Sequence, residues 1–188
     1  SNIDTLINET LISKISSTNV NRNGYKYYLP KGLYIKSSKT YNEILSNHKY
    51  MLYLYIDIVS YNNKTEFSYT INSRAFYSKD ILYNGIKGYI EINKYKNDKY
   101  LIEIMYNYAK IEVIVLERDI KEIVTYASTI LSSITYNDNV IEKYLSSNVY
   151  DSVEEDFDIF KIVGSDNFLQ FADEEDKQDE VKDPDYIK

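Results

Sequence analysis

Cysteine is absent from the 188 residues. Its absence excludes disulfides, thiolate metal sites, cysteine nucleophiles and thiol redox chemistry, and it leaves the compartment open. Histidine occurs once, at His48 in SNHKY. One imidazole without thiolates does not assemble a transition-metal site, which needs three or four nitrogen, sulfur or oxygen ligands. His48 therefore reads as a surface loop residue rather than a general base or ligand. The five glycines are scattered, so no phosphate-cradling loop exists. No Gly-x-Ser-x-Gly, His-Glu-x-x-His or EF-hand pattern occurs. Long apolar runs are missing as well. The strongest, YMLYLYIDIV (50–59), has ten residues and contains Asp57, against the roughly 20 a membrane-spanning helix needs. A soluble chain is expected, with no cofactor and no metal.

Isoleucine (25), tyrosine (22), lysine (19) and asparagine (18) dominate, whereas arginine appears three times. All four favoured residues have AT-rich codons, which points to a low-GC bacterium and explains part of the tyrosine excess. The charge is uneven. Residues 151–188 carry 14 acids and 4 lysines, while residues 1–150 carry 15 acids and 18 basic residues. So mild a basic excess gives no footprint for nucleic acid. The terminal stretch DEEDKQDEVKDPDYIK (173–188) has little to bury and is expected to be a disordered tail after one domain over residues 1–172. Its DEED run (173–176) lacks the glycine turn and alternating spacing of a calcium loop. The chain starts Ser1-Asn2 rather than Met, so a processed or truncated chain is expected, with Ser1-Asn2 either a cloning scar or what is left after removal of a signal peptide or anchor.

Periodicity predicts the elements. Ile3, Ile7, Leu11 and Ile15 form one stripe of a helix over 3–16. YKYYLPKGLYIK reads as a short strand interrupted at Pro30 and Gly32 and then continued. In 50–59, Tyr50, Leu52, Leu54, Ile56 and Ile58 point one way and Met51, Tyr53, Tyr55, Asp57 and Val59 the other, the period of a strand. Its aliphatic face is expected to meet a helix layer. SYNNKTE (60–66) reads as a turn and 67–83 as a weaker strand. YIEINKY and KYLIEIMYNYAKIEVIVL continue an antiparallel meander, with turns at 96–98 and at YNYAK. Residues 117–134 switch to helical period, with Asp119 as N-cap and Glu122 as its capping-box partner. A further helix starts at Asp138, and the aromatic stretch 157–171 must bury somewhere. The fold class is α+β, built on a central antiparallel meander.

Two constellations carry what chemistry there is. Asp57, Glu91, Glu103 and Glu112 fall on predicted strands. If Glu91, Glu103 and Glu112 share a face, alternation with Lys94, Lys99 and Lys110 reads as cross-strand ion pairing on a solvated surface. The second constellation is the tyrosines, residues enriched in binding surfaces. Tyr53, Tyr55 and Asp57 form a candidate binding line, about 7 Å apart along the strand, suited to a cationic or sugar-like group. The competing reading is that a second helix layer, from residues 3–16 or 138–171, covers those side chains.

YKYYLPKG (25–32), YLYIDIVSY (53–61) and ILSSITY (130–136), in this order of elements, resemble the PsbP-like family, shared with small lipoproteins and cell-envelope proteins. The resemblance covers roughly residues 20–137. It implies an antiparallel sheet sandwiched by helices. Metal sites of some relatives use histidine and carboxylates, and no ligand maps onto His48. The expectation is a non-enzymatic binding module of the bacterial cell envelope, extracytoplasmic and either displayed outside the membrane or anchored to it upstream, whose partner is another protein or envelope component and not nucleic acid. The alternatives are a small-molecule or glycan-processing enzyme that uses strand carboxylates, and a cytoplasmic accessory protein of phage or plasmid origin.

Overall fold

The computed structural model of the chain describes residues 2–13 and 17–147. The expected domain boundary at residue 172, the acidic tail and the aromatic stretch 157–171 lie outside the described residues. Everything below belongs to the compact unit formed by residues 1–144, save the last turn of α4.

Helix α1 (Ile3–Ile12) opens on Asn2, whose side chain accepts from the Thr5 backbone N–H, and it buries Ile7 and Leu11. Strands β1 (Val20–Asn21) and β2 (Tyr25–Tyr27) form a short hairpin, followed by β3 (Tyr34–Lys39), β4 (Asn42–Ser46) and β5 (Met51–Ile56). Helix α2 (Ile58–Asn62) comes next, then β6 (Tyr77–Tyr83), β7 (Ile86–Tyr95), β8 (Lys99–Tyr106) and β9 (Ala109–Leu116). A 3-10 turn (Glu117–Asp119) leads into α3 (Ile120–Ser133), β10 (Thr135–Tyr136) and α4 (Asp138–Ser147).

Seven strands make one antiparallel sheet in the order β3-β4-β5-β9-β8-β7-β6. Two meanders, β3 to β5 and β6 to β9, are thus joined edge to edge where β5 pairs β9. Tight turns fix the register. The two-residue loops Asn84–Gly85 and Asn107–Tyr108 have positive φ at both positions, the backbone that matches the right-handed twist of a hairpin. Gly88 lies inside β7, where a Cβ would come within 2.1 Å of the Met105 carbonyl oxygen on β8.

Alternation decides the two faces. Leu54, Ile111, Ile104 and Ile90 stand opposite one another on successive strands and are buried. Helix α3 lies across β8 and β9 and buries Ile120, Ile123, Val124, Ala127, Ile130 and Leu131. Helix α1 packs against α3, and its Asp4 reaches Tyr77 and Lys79 on that same face of β6. Residues 3–12 therefore add to the one helix layer and do not cover the opposite face. The other segment expected to do so, 138–171, lies mostly outside the described residues.

Five expectations need correction. The weaker strand read over 67–83 is confined to β6, Tyr77–Tyr83. Pro30 and Gly32 do not interrupt one strand: β2 joins a small sheet, β1-β2-β10, and β3 starts the large one. Residues 42–46 form a strand where none was expected. The turn over 60–66 is largely α2 and its C-cap. Asp119 makes no side-chain cap bond on α3. Its carboxylate instead accepts from Lys49 Nζ at 2.7 Å and Tyr50 Oη at 2.5 Å. Those two donors hold the Asp119 carboxyl below its usual range, because both favour the charged carboxylate over the neutral acid.

Candidate functional site

The three strand glutamates are brought together. Glu91 pairs Glu103, and Glu103 pairs Glu112, across β7, β8 and β9. Glu112 is in turn opposite Tyr53 on β5. Adjacent strands are about 4.8 Å apart, so the carboxylates stand in one row on the face away from α1 and α3. They do not alternate with lysines as expected. The next row of that face runs Tyr89, Met105, Lys110 and Tyr55. The signal was present in the sequence: Ile-Glu-Ile, Ile-Glu-Ile and Ile-Glu-Val recur at 90–92, 102–104 and 111–113. Each buries its aliphatic pair on one face and leaves its glutamate on the other.

Each carboxylate has its own partners. Glu91 accepts from Tyr69 Oη at 2.5 Å and from the amides of Asn72 and Asn93, both at 3.0 Å. Tyr89 donates its hydroxyl to Glu103. Lys110 Nζ lies 2.8 Å from Glu112 and 5.8 Å from the centre of the Tyr55 ring. Tyr69 comes from the segment 67–72, which folds back over the sheet. Its ring stacks on Tyr89 with centroids 4.4 Å apart, and its hydroxyl also meets Ser78 Oγ at 2.6 Å. Sequence reasoning missed Tyr69 and Asn72, since nothing local shows a loop returning across a sheet.

No family model matches this chain, and no curated protein matches it either. The site has to be read from its own chemistry.

The electrostatics separate the three glutamates. Partial burial pushes the Glu91 carboxyl up, but the hydrogen bonds from Asn93, Tyr69 and Asn72 outweigh it and hold it below the usual range. Glu112 is 3% exposed. Burial pushes its carboxyl up, Lys110 pulls it down, Glu103 pushes it up again, and the net shift is upward. The Tyr55 and Tyr89 hydroxyls are also pushed up, by burial first and by Glu112 and Glu103 next. Both tyrosines therefore stay protonated and able to donate. Among the described residues, no group of three or more histidine or acidic side chains is placed to hold a metal ion.

Opposite pH signatures follow. A carboxyl lowered by folding adds stability above its unfolded pKa and loses it as pH falls through the folded value; a raised one costs stability above its folded pKa and is relieved below it. Glu91→Gln is expected to weaken the domain near neutral pH, by under about 1 kcal/mol for a half-buried group still open to solvent screening, with the loss vanishing in acid. Glu112→Gln is expected to strengthen it near neutral pH by a similar amount, with the gain fading as pH drops through Glu112's raised pKa. Urea midpoints across a pH series check both; equal signs would refute the assignment.

The candidate line Tyr53, Tyr55 and Asp57 is only partly assembled. Tyr53 is 8% exposed and Tyr55 is half-buried. Both stand on the glutamate face. Asp57 does not continue the line, because β5 ends at Ile56. Asp57 is the N-cap of α2, and its Oδ1 accepts from the Ser60 backbone N–H at 3.0 Å. A short polar side chain at such a position satisfies a helix N–H better than it prolongs a strand. His48 is exposed in a loop with φ of 71° and packs on the Tyr34 ring at 4.6 Å.

Proposed function

We propose that this chain is a non-enzymatic interaction module that binds another macromolecule through the glutamate and tyrosine face of its large sheet. The row of Glu91, Glu103 and Glu112 carries this reading. Like charges directly opposite on neighbouring strands destabilise a sheet, and a purely structural surface gains nothing from three of them. A cationic group on a partner offsets that repulsion. Tyr55, and Tyr69 stacked over Tyr89, add ring faces for a cation or a sugar beside the row, and charge-assisted hydrogen bonds supply direction. Glu91 is saturated by three donors and Glu112 is buried beside Lys110, so both brace the row and leave Glu103 as the contact.

The PsbP-like resemblance fits an antiparallel sheet carrying helices, and it supports placing the module in the bacterial cell envelope. No described helix is long and apolar enough to cross a membrane. Recovery of the protein in the cytosolic fraction of the source cells would instead support a cytoplasmic accessory role.

One observation favours a second reading. The raised Glu112 beside Glu103 resembles the acid and carboxylate pairing of glycan hydrolysis. Calorimetric titration with pentalysine, and with a soluble digest of cell-wall glycan, separates the two. The binding reading expects an interaction that Glu103→Gln abolishes while the unfolding midpoint holds, with the glycan left intact. Glycan shortening that Glu112→Gln abolishes would establish the enzyme reading. Neither binding nor shortening would reject both.

A further inference from the structure

Strand β6 is an edge of the seven-stranded sheet and pairs β7 alone. Its register runs unbroken from Tyr77 opposite Ile92 to Tyr83 opposite Ile86. In a hairpin with a two-residue turn the flanking pair exchanges both backbone hydrogen bonds, and alternate pairs do the same. Tyr77, Lys79, Ile81 and Tyr83 thus bond inward to β7, and Ser78, Asp80 and Leu82 aim their N–H and C=O groups outward. Among the described residues no further backbone group bonds to these three. The opposite edge is blunted. β3 carries a register break between Ile35 and Ser37 and the lysines Lys36 and Lys39, both devices that discourage strand pairing. β6 has no break and no proline. Its single lysine, Lys79, is held by Asp4 at 3.2 Å.

The surroundings of this edge are shaped on both faces. On the helix side, Ile7, Asn8 and Leu11 of α1 overhang Lys79, Asp80, Ile81 and Leu82 across a cavity of about 140 Å³. That is close to the roughly 150 Å³ of an engineered apolar cavity that holds benzene, and it suits one aliphatic side chain. On the other face Asp80 is exposed and makes no ion pair within the described residues, and Leu82 is 70% exposed.

We propose that the β6 edge is a strand-addition site for an extended segment of another protein, with a basic residue opposite Asp80 and an aliphatic residue next to it in the cavity beneath α1. The added strand would bond to Ser78, Asp80 and Leu82, as in other cases of β-augmentation. Charge decides against a second copy of this chain. The antiparallel register that uses all of β6 sets Asp80 against Asp80, a like-charge pair directly opposite. The inference stands apart from the glutamate face.

A fluorescein-labelled peptide of alternating valine and lysine is the probe, with a valine and glutamate counterpart as control, read by fluorescence anisotropy. The lysine peptide is expected to bind, and the glutamate peptide to bind about tenfold more weakly, one favourable pair being exchanged for a like-charge pair. Asp80→Pro removes an N–H that serves no bond within the sheet, at an edge where proline is tolerated. Measured in a Glu103→Gln background, so that lysines held by the glutamate face do not contribute, it should abolish binding. Methylating alternate amide nitrogens of the peptide tests the same bonds on the unaltered protein, should the proline variant fail to fold. One methylated set should block binding and the other should not. No binding of the lysine peptide, or binding indifferent to methylation on either edge, would overturn the proposal. Self-association of the protein that Asp80→Pro removes would assign the edge to a second copy and overturn it too.

Discussion

Arg22→Ala is expected to destabilise the domain by about 3–5 kcal/mol, the cost of leaving a buried charge without its partner. The reason is Glu43. It sits on β4 among the buried rows of the large sheet, opposite Leu54, and its side chain is 0% exposed. Arg22, in the turn between β1 and β2, brings Nε to 2.9 Å and Nη2 to 2.8 Å of Glu43 Oε1. Tyr25 Oη donates to the other oxygen at 2.8 Å. Deleting the guanidinium leaves the interior carboxylate with neutral tyrosine hydroxyls alone. Arg22→Lys should recover only part of the loss, because a single ammonium replaces two converging donors. Urea unfolding at neutral pH measures both variants. A loss below about 1 kcal/mol for Arg22→Ala would show that Glu43 finds water or another donor.

Leu131→Ala is expected to cost about 2–5 kcal/mol, and Ser132→Ala well under 1 kcal/mol. Leu131 is fully buried on α3. Truncating it removes apolar surface and leaves a cavity that a close-packed interior fills only in part. Ser132 is half-buried, and its hydroxyl donates to the Thr129 carbonyl within its own helix at 3.1 Å. That bond is local and is exchanged readily for water. Thermal unfolding of the two variants side by side is the check. Comparable losses would mean that the helix presents a different face to the sheet.

The alternation of β5, β7, β8 and β9 was readable because period two follows from strand geometry alone. Fully buried Leu52, Leu54, Ile90, Ile92, Ile102 and Ile104 all fell on the face the pattern assigned. The stripe of α3 was readable for the same kind of reason. The split of β2 from β3 was not. Pro30 and Gly32 mark a break in the chain, and a break does not say which sheet each half will join. β4 escaped notice because NEILS is short and buries Glu43, a residue that argues against an interior strand until Arg22 arrives from 21 residues away. Asp119 was misread through a related limit. Its cap pattern is local, but Lys49 and Tyr50 compete for the same carboxylate from about 70 residues away.

The sequence by itself determined the class, an antiparallel sheet carrying amphipathic helices, along with the exclusion of thiol chemistry and the position of Glu91, Glu103 and Glu112 on strands. Those depend on composition and on periods of a few residues, which act within one element. Tertiary structure alone decided that Glu91, Glu103 and Glu112 stand side by side, that Tyr69 closes over one end of them, and that Asp57 leaves the line to cap α2. Register between strands is set by turns and by the packing of whole faces. A one-residue slip along β8 would turn Glu103 to the helix side and dissolve the row, so the site belongs to the register rather than to any one segment.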